Sequence, residues 1–446
     1  MSELLQKYDT QAPRYTSYPT VPFWTDNPTT EEWLESLNRS INANPNKIAV
    51  YVHIPFCETL CTFCGCNTSI TKNHSVEEPY VQALRQELDL YSKEIPSLKS
   101  QKLQELHLGG GSPTYLSDYH LQSYIESIFN ILEPISSPEF SIEVDPRRTR
   151  LSQLDLLFKL GFRRISLGVQ DFDPDVQRLV NRIQPFEMTE TITDHARSLG
   201  FTSVNFDLIY GLPKQKITSM ETSLKKTIQL KPDRIAFYSY AHVPWIKSSQ
   251  RLFTEDDLPD PKLKRELYEM GREMLESEGY KEIGLDHFAL SHDKLWIAKS
   301  NQKLHRNFMG YTDSKTDTLL GLGSSAISET NDCYYQNQKL EIKYRKSLQN
   351  GVLPNFRGHK LNSYDLIQKK IILSLMTNFS TKIPKPQIEL AKERLNEMEK
   401  DHLLVWENDE LTVTDLGRPF LRLIVMAFDE RLHQGEISKS MFSKAI

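Results

Sequence analysis

Between residues 48 and 240 the chain repeats one pattern six times: a short apolar, β-branched or aromatic run, then a longer amphipathic stretch. The runs fall at 48–54, 105–108, 140–144, 164–169, 203–210 and 234–240, with helical periods near 77–95, 117–132, 151–160, 174–199 and 217–230. Six β-then-α units in succession predict an α/β fold, a parallel sheet with right-handed crossovers and helices outside it. Six is fewer than the eight strands of a closed barrel. The expected architecture is therefore a partial, open parallel β/α barrel of about six units, with 284–289 as a candidate seventh strand. Polar and glycine residues gather just after each run, as in Pro55-Phe56-Cys57, Gly109-Gly110-Gly111, Asp145-Pro146, Gln170-Asp171, Gly211-Leu212-Pro213 and Ala241-His242. Barrels carry their chemistry at the C-terminal ends of their strands, so these six loops should face one site.

The flanks read differently. Residues 1–45 look like an irregular arm with one helical period, near 31–42, and 46–290 carry the barrel. No period is assignable across 290–362, so 291–362 is taken as a connecting, barrel-completing segment. From residue 364 the pattern turns helical, at 364–378, 385–404 and 415–433. Asn408-Asp409 between two short apolar runs signals a hairpin. Residues 363–446 are thus expected to form a small, mostly helical C-terminal domain with a hairpin, of winged-helix outline, serving as a lid or packing partner.

Four of the five cysteines lie within ten residues: Cys57, Cys61, Cys64 and Cys66. Disulfide cysteines in a secreted chain of this size are spread out, so crowded thiols read as metal ligands in a reduced compartment. Zinc sites pair a Cys-x2-Cys with a second, separated pair, and no such pair is near. Four cysteines commonly hold an iron–sulfur cluster. In an extended segment, however, Cys64 and Cys66 would point to opposite sides. Three ligands from one loop, leaving one iron open to a substrate or cofactor, is the expected geometry. The alternatives are a zinc loop or a buried thiol.

Composition narrows the partners. Fifty-four Lys and Arg against 59 Asp and Glu give a net charge of −5, which opposes nucleic acid as the main partner. The longest apolar run, 423–428, is six residues, so no membrane span is expected. The N-terminus offers no apolar signal region, and a cytoplasmic location is expected.

The cysteine loop after a first strand resembles the radical S-adenosylmethionine superfamily. More narrowly, residues 51–66 (Tyr-Val-His-Ile-Pro-Phe-Cys-Glu-Thr-Leu-Cys-Thr-Phe-Cys-Gly-Cys) resemble the oxygen-independent coproporphyrinogen III oxidases, or dehydrogenases. The likeness continues through Gly109-Gly110-Gly111-Ser112-Pro113-Thr114, Glu143-Val144-Asp145-Pro146, Gly168-Val169-Gln170-Asp171, Asp207-Leu208-Ile209-Tyr210-Gly211-Leu212-Pro213 and Tyr240-Ala241-His242. It includes Pro13-Arg14-Tyr15-Thr16-Ser17-Tyr18-Pro19-Thr20 and His305-Arg306-Asn307-Phe308, and so covers most of the chain.

The resemblance implies that Cys57, Cys61 and Cys64 hold a [4Fe–4S] cluster. One S-adenosylmethionine would chelate the open iron and be cleaved to methionine and a 5′-deoxyadenosyl radical. The radical would take a β-hydrogen from a propionate, and loss of CO2 and an electron would leave a vinyl group. Two such events would convert coproporphyrinogen III to protoporphyrinogen IX. The resemblance places the methionyl amino group at Gly109-Gly110-Gly111, where bare backbone permits close approach and offers N–H donors; the alternative is a plain tight turn. Glu143 suits ribose hydroxyls, as acidic residues do in dinucleotide sites, and its apolar flanks Ile142 and Val144 weaken a surface-ion-pair reading. Tyr51 and Ile327 would contact the first cofactor. A second S-adenosylmethionine, two per chain in all, would touch Phe63, Gly111, Ser112, Gln170, Arg182, Asp207 and Ala241. Arg182 has the fork suited to a methionyl carboxylate.

Catalytic side chains are otherwise unassigned. Cys66 is suspected of a role near the second cofactor or in hydrogen transfer. Arg14, Arg147, Arg148, Arg163, Arg164, Arg251 and Arg306 are candidates for the four substrate carboxylates, and Tyr15 and Tyr18 for a cover over the tetrapyrrole. An electron donor is implied, and a monomer is expected. Cys66 and the N-terminal arm favour the decarboxylating enzyme over a haem chaperone on the same scaffold; another tetrapyrrole-modifying radical enzyme is the further alternative. Gly321-Leu322-Gly323-Ser324-Ser325-Ala326 matches a dinucleotide fingerprint but lacks a clean βαβ context, so NAD binding is rejected. Cys333 reads as a structural thiol, and His107, His195 and His359 show no metal spacing.

Overall fold

The computed structural model describes residues 2–45, 47–435 and 441–444. The six expected runs are all strands of one sheet: β1 (Ile48–Ile54), β2 (Lys102–Gly110), β3 (Glu133–Val144), β4 (Arg164–Gln170), β5 (Ser203–Tyr210) and β6 (Arg234–Ser239). Further strands are β7 (Lys281–Gly284), β8 (His287–Ala289), β9 (Thr318–Leu322), β10 (Ile327–Glu329), β11 (Cys333–Asn337) and β12 (Asn355–Lys360). Their order is β12-β11-β10-β9-β1-β2-β3-β4-β5-β6-β8-β7. β1 to β6 pair in parallel in sequence order, as the crossover pattern requires. Among the described residues the outermost strands, β12 and β7, do not pair with each other, so the sheet stays open.

The seventh parallel strand is not 284–289, which is an antiparallel hairpin, β7 with β8, set against β6. It is β9, which pairs in parallel with β1 on the opposite flank. β9 and β11 are buried at every position, so they show no alternation to read. The glycine decoy straddles the end of β9. The strand missing from the sequence reading is present, but no helix follows, because β10 returns antiparallel.

Helices cover the sheet through one apolar stripe each. Helix Glu77–Glu94 buries Tyr80, Ala83, Leu84, Glu87, Leu88 and Tyr91, the spacing of a single helical face. The long helix expected at 174–199 is two, Pro174–Leu179 and Phe186–Leu199, with Asn181 left-handed (φ 53°) and Pro185 N-capping the second.

Two main apolar cores result. One joins the sheet to its helices. The other joins the C-terminal helices to the arm: Ala12, Tyr15, Tyr18 and Phe23 pack with Leu375, Phe420 and Ile424. Tyr15 and Tyr18 are only 3% and 1% exposed, and the Tyr15 hydroxyl donates to Asp429 at 3.0 Å. They are core residues and not a cover for a ligand. The arm also carries two helices, Ser2–Lys7 and Thr30–Ala43, where one was expected. The hairpin at Asn408-Asp409 forms between Leu404–Glu407 and Glu410–Val413, with Asn408 left-handed (φ 59°).

Candidate active site

Register brings the first site residues together. Tyr51 on β1 lies opposite His107 on β2, and His107 opposite Ser141 on β3. Residues opposite one another in a sheet project from the same face. The Tyr51 and His107 rings stack at 5.9 Å, and His107 Nδ1 lies 2.8 Å from Ser141 Oγ. Two residues along β3, Glu143 Oε1 is 3.5 Å from His107 Nε2, while Oε2 accepts the Gly110 N–H at 3.0 Å. Burial alone would raise the Glu143 carboxyl. The hydrogen bond and charge of His107, the Gly110 amide and His53 outweigh it and hold the carboxyl below its ordinary value. Glu143 is therefore an ionised acceptor whose side chain is open to the space it faces.

Tyr51, His107 and Glu143 line a cavity of about 200 Å³ together with His53, Phe308 and Ile327. Ile327 rested on the resemblance alone; β10 carries it to the same wall. Behind this cavity lies an interior one of about 120 Å³, which shares His107, Glu143 and Met309 and adds Asp207. Ser166 Oγ and Asn205 Nδ2 donate to Asp207 at 3.0 and 2.9 Å, but burial and the Glu143 charge push its carboxyl up to about 7.

The glycine triplet works differently from the expectation that it offers N–H donors. The N–H of Gly110 goes to Glu143, that of Gly111 to the Ile54 carbonyl at 2.8 Å and that of Ser112 to Phe56 at 2.9 Å. Those donors are spent inside the protein. A Cβ on Gly110 (φ 116°) would sit 2.7 Å from the His53 ring, and one on Gly111 2.6 Å from the Pro55 carbonyl oxygen. Glycine is required because the ends of β1 and β2 close on each other here. An ammonium group approaching this turn would need its acceptors, not its donors.

The cysteine loop sits beside these strand ends. Cys57 closes a two-residue strand paired with Ser69–Ile70, and the Cys64 N–H donates to Cys61 O at 3.1 Å. Phe63 anchors the loop in an apolar group with Val176, Val180, Ile209, Leu212 and Tyr240. Cys61 is buried, and two guanidinium groups reach its sulfur, Arg182 Nη1 at 3.5 Å and Arg147 Nη2 at 3.6 Å. Asp145 braces both arginines, at 2.7 Å to Arg147 and 3.5 Å to Arg182. Burial pushes Asp145 up, but the two cations overcome it and hold the carboxyl at about 2.

Cys64 and Cys66 do not sit on an extended segment: residues 61–68 form turns and a bend, not a strand, with Cys64 half-buried and Cys66 exposed. Among the described residues no three His, Cys, Asp or Glu side chains close on one point as a single ion demands. A [4Fe–4S] cluster asks instead for separated thiolates, one per iron, and its anionic sulfurs are stabilised by N–H donors. Three thiols in one loop, with two arginines over Cys61, fit that group.

The remaining candidates fall into place unevenly. Ser112 lines a small recess of about 80 Å³ with Cys57, Asp145 and Arg147. Gln170 ends β4 in a left-handed conformation (φ 69°), and its amide packs with Arg182 over the bare Gly168. Arg182 is spent on the Gly168 carbonyl, Cys61 and Asp145. Ala241 follows β6, half-buried, and lines neither central cavity. Of the candidate substrate arginines, Arg163 donates to the carbonyls of Phe158 and Phe162, Arg251 to that of Pro244, and Arg148 pairs with Glu58 at 3.0 Å. Arg306 stacks over Tyr311 at 4.5 Å. His53, His107 and Phe308 line the cavity beside Tyr51 and Glu143, and sequence reasoning had not selected them. The polar alternation of β3 to β5 (Ser141/Glu143, Arg164/Ser166, Ser203/Asn205/Asp207) was the available signal for a polar interior.

Comparison with known proteins agrees with this geometry. The model of the radical SAM superfamily matches residues 51–226. An oxygen-independent coproporphyrinogen III oxidase of Pseudomonas aeruginosa is 38% identical, over all of this chain and 98% of its own length. The Escherichia coli protein of the same name is 39% identical over 99% and 98%. A solved structure of coproporphyrinogen III oxidase (HemN) from Escherichia coli, described as a radical SAM enzyme, superposes with a TM-score of 0.88 over 93% of this chain and 97% of that one. The chain therefore belongs to the oxygen-independent coproporphyrinogen III oxidases of the radical SAM superfamily.

Proposed function

We propose that this chain removes two propionate carboxyl groups from coproporphyrinogen III without oxygen, giving the two vinyl groups of protoporphyrinogen IX in haem biosynthesis. The observation that carries this reading is the likeness to the oxidases, arm and C-terminal unit included, at 38% identity over all of this chain and 98% of the relative. Each event loses a β-hydrogen atom, CO2 and one electron, and the electron needs an acceptor outside the substrate. When bound, the cluster and S-adenosylmethionine supply the 5′-deoxyadenosyl radical that takes the hydrogen.

The protein's own residues hold and orient. In this reading Cys57, Cys61 and Cys64 are the thiolate ligands, with Arg147 and Arg182 donating to the Cys61 sulfur. Glu143, kept ionised, accepts from ribose hydroxyls. Tyr51 and Ile327 wall the same cavity. Gly110 and Gly111 leave room at the end of β2. Phe63, Ser112, Gln170, Arg182, Asp207 and Ala241 remain candidates for a second S-adenosylmethionine, and Cys66 for a role beside it. The boundaries 1–45, 46–290, 291–362 and 363–446, a monomeric state and a cytoplasmic location belong to this proposal too. No helix among the described residues is long and apolar enough to cross a membrane.

The test is anaerobic. The cluster is reconstituted and reduced, S-adenosylmethionine and coproporphyrinogen III are added, and products are read by mass. Loss of two CO2 and four hydrogens, the two carboxyl protons counted, is the expected result. Cofactor cleavage with unchanged substrate mass points to another tetrapyrrole reaction. Haem binding without any turnover points to the chaperone.

A further inference from the structure

The cavity that Glu143 lines, about 200 Å³, is smaller than the sites of about 300–1,000 Å³ that enclose a drug-sized ligand. A tetrapyrrole with four propionates is larger still, so its bulk must lie outside that cavity. Two of the cavity's walls lead outward to cations. The Ser325 carbonyl accepts from Gln336 Nε2 at 3.0 Å, and Gln336 Oε1 accepts from Arg357 Nε at 2.7 Å. His53 Nε2 lies 2.9 Å from the Asn67 carbonyl, and Asn67 Nδ2 donates to the Lys339 carbonyl at 2.9 Å. A third cation comes from the other flank: Lys247, in the loop after β6, donates to the Cys66 carbonyl at 2.7 Å. Register agrees with this placement. Ile327 on β10 lies opposite Gln336 on β11, and Gln336 opposite Arg357 on β12, so all three project from the face that bounds the cavity. The register slips by one residue there, which leaves Phe356 as an extra residue beside Arg357.

These three cations have no acids to answer them. Among the described residues none of them pairs with a carboxylate. Lys247 and Arg357 bond the neutral groups just named, and Lys339 lies over the Phe356 ring at 5.4 Å, with Arg357 over the same ring at 5.3 Å. The charged groups that act on Lys339 are cations, Arg357 and Lys247. Segments from both flanks of the cysteine loop thus gather like charge, in a chain whose net charge is −5. Like charges held together are relieved by an anion. Each of the three keeps N–H groups to spare for one. Aromatic surface stands beside them: Phe356 is 40% exposed, and Trp245, two residues before Lys247, is 52% exposed. Cations beside exposed rings suit a ligand that is both apolar and polyanionic.

We propose that Lys247, Lys339 and Arg357 form a cationic rim that holds propionate carboxylates of the substrate while another propionate reaches the cavity, with Phe356 and Trp245 against the pyrrole rings. The identity of the ligand rests on the proposed reaction; the anion site rests on the charges and register just described. Four carboxylates enter and two are consumed, so the retained pair serves as a handle through both events. Arg357 was not among the arginines singled out in the sequence, because only the pairing of β10, β11 and β12 sets it on the face that carries Ile327.

The double variant Lys339→Met/Arg357→Met tests it in the reconstituted holoenzyme with S-adenosylmethionine bound, and Lys339→Arg/Arg357→Lys is the charge-keeping control. Equilibrium binding of coproporphyrin III, a stable tetracarboxylate, is read by fluorescence in wild type and both variants. Loss of two partly exposed ion pairs together should weaken binding roughly tenfold in the Met variant, and the control should keep most of the affinity. The KM for coproporphyrinogen III should rise by a similar factor. Iron content and affinity for S-adenosylmethionine should match wild type in both. Loss of coproporphyrin affinity in the Met variant alone supports the site even if wild type fails to turn the substrate over, an outcome that sinks only the proposed reaction. Unchanged coproporphyrin affinity in the Met variant, equal impairment of the two variants, a parallel loss of S-adenosylmethionine affinity, or no binding to wild type overturns the inference.

Discussion

Glu143 Oε2 accepts the Gly110 N–H at 3.0 Å, and this one bond ties the end of β3 to the turn after β2. It makes the position of the carboxylate depend on backbone, not on a flexible side-chain partner. The same carboxylate faces the cavity that Ile327 walls from the β9–β10 flank of the sheet.

Glu143→Gln keeps the shape and removes the charge. Hydrogen bonds to a charged acceptor are worth about 1.5–3 kcal/mol, so affinity for S-adenosylmethionine should fall roughly ten- to a hundredfold. Equilibrium dialysis against the reconstituted variant measures this, and iron content should match wild type. Unaltered cofactor affinity would remove Glu143 from the binding set.

Cys66 is exposed, two residues after Cys64 in the same loop. Cys66→Ser should retain the iron and sulfide content of wild type while turnover falls by an order of magnitude or more. Cys64→Ser should lose the cluster absorbance altogether. Full turnover in Cys66→Ser would end the idea that this thiol takes part.

Arg147 donates to the Cys61 sulfur at 3.6 Å. Hydrogen bonds and positive charge at a cluster sulfur favour the reduced, more negative state, so Arg147→Leu should move the midpoint potential negative, on the order of tens of millivolts. A redox titration followed by electron paramagnetic resonance reads it. A positive shift would contradict the arrangement.

Tyr15 belongs to the arm in sequence and to the C-terminal core in space. Tyr15→Ala should therefore destabilise the protein by roughly 3–5 kcal/mol, the usual cost of emptying an aromatic site. Tyr15→Phe, which loses the bond to Asp429, should cost about 1 kcal/mol. Denaturant unfolding of the two variants checks the ratio; equal and negligible losses would mean that the arm is detachable.

Glu87 is fully buried, and although Tyr344, Gly323 and Asn337 donate to it, burial pushes its carboxyl up to about 7. The folded state then holds this proton at pH values where the unfolded chain has released it. Its contribution to stability is complete below the ordinary carboxyl pKa and is lost as pH rises toward 7, by about 3 kcal/mol at most. Unfolding at pH 5 and pH 8 should show a smaller pH dependence in Glu87→Gln than in wild type. An identical pH dependence in the two proteins would show that Glu87 is already ionised when folded.

Much of this protein was legible in its sequence because local rules carried the message. Six apolar runs alternating with amphipathic stretches specify a parallel sheet whatever the rest of the chain does, and all six became β1 to β6. Three thiols in one loop limit the chemistry to a metal centre before any fold is known, and Asn408-Asp409 places a hairpin by backbone preference alone. Other features depended on residues far apart in the chain. β9 is apolar at every position and therefore silent to periodicity; only its pairing with β1 makes it the seventh parallel strand. Ile327 reached the cavity that Glu143 lines because β10 turns back beside β9, and His107 joined it because register sets it opposite Tyr51. Tyr15 and Tyr18 left the site because a C-terminal core needed their rings, and the Gly110 and Gly111 amides were already claimed by Glu143 and by β1. Periodicity and spacing are properties of neighbours in the chain, so the sequence contained them. Register and shared cores are properties of neighbours in space, and only the folded protein decided them.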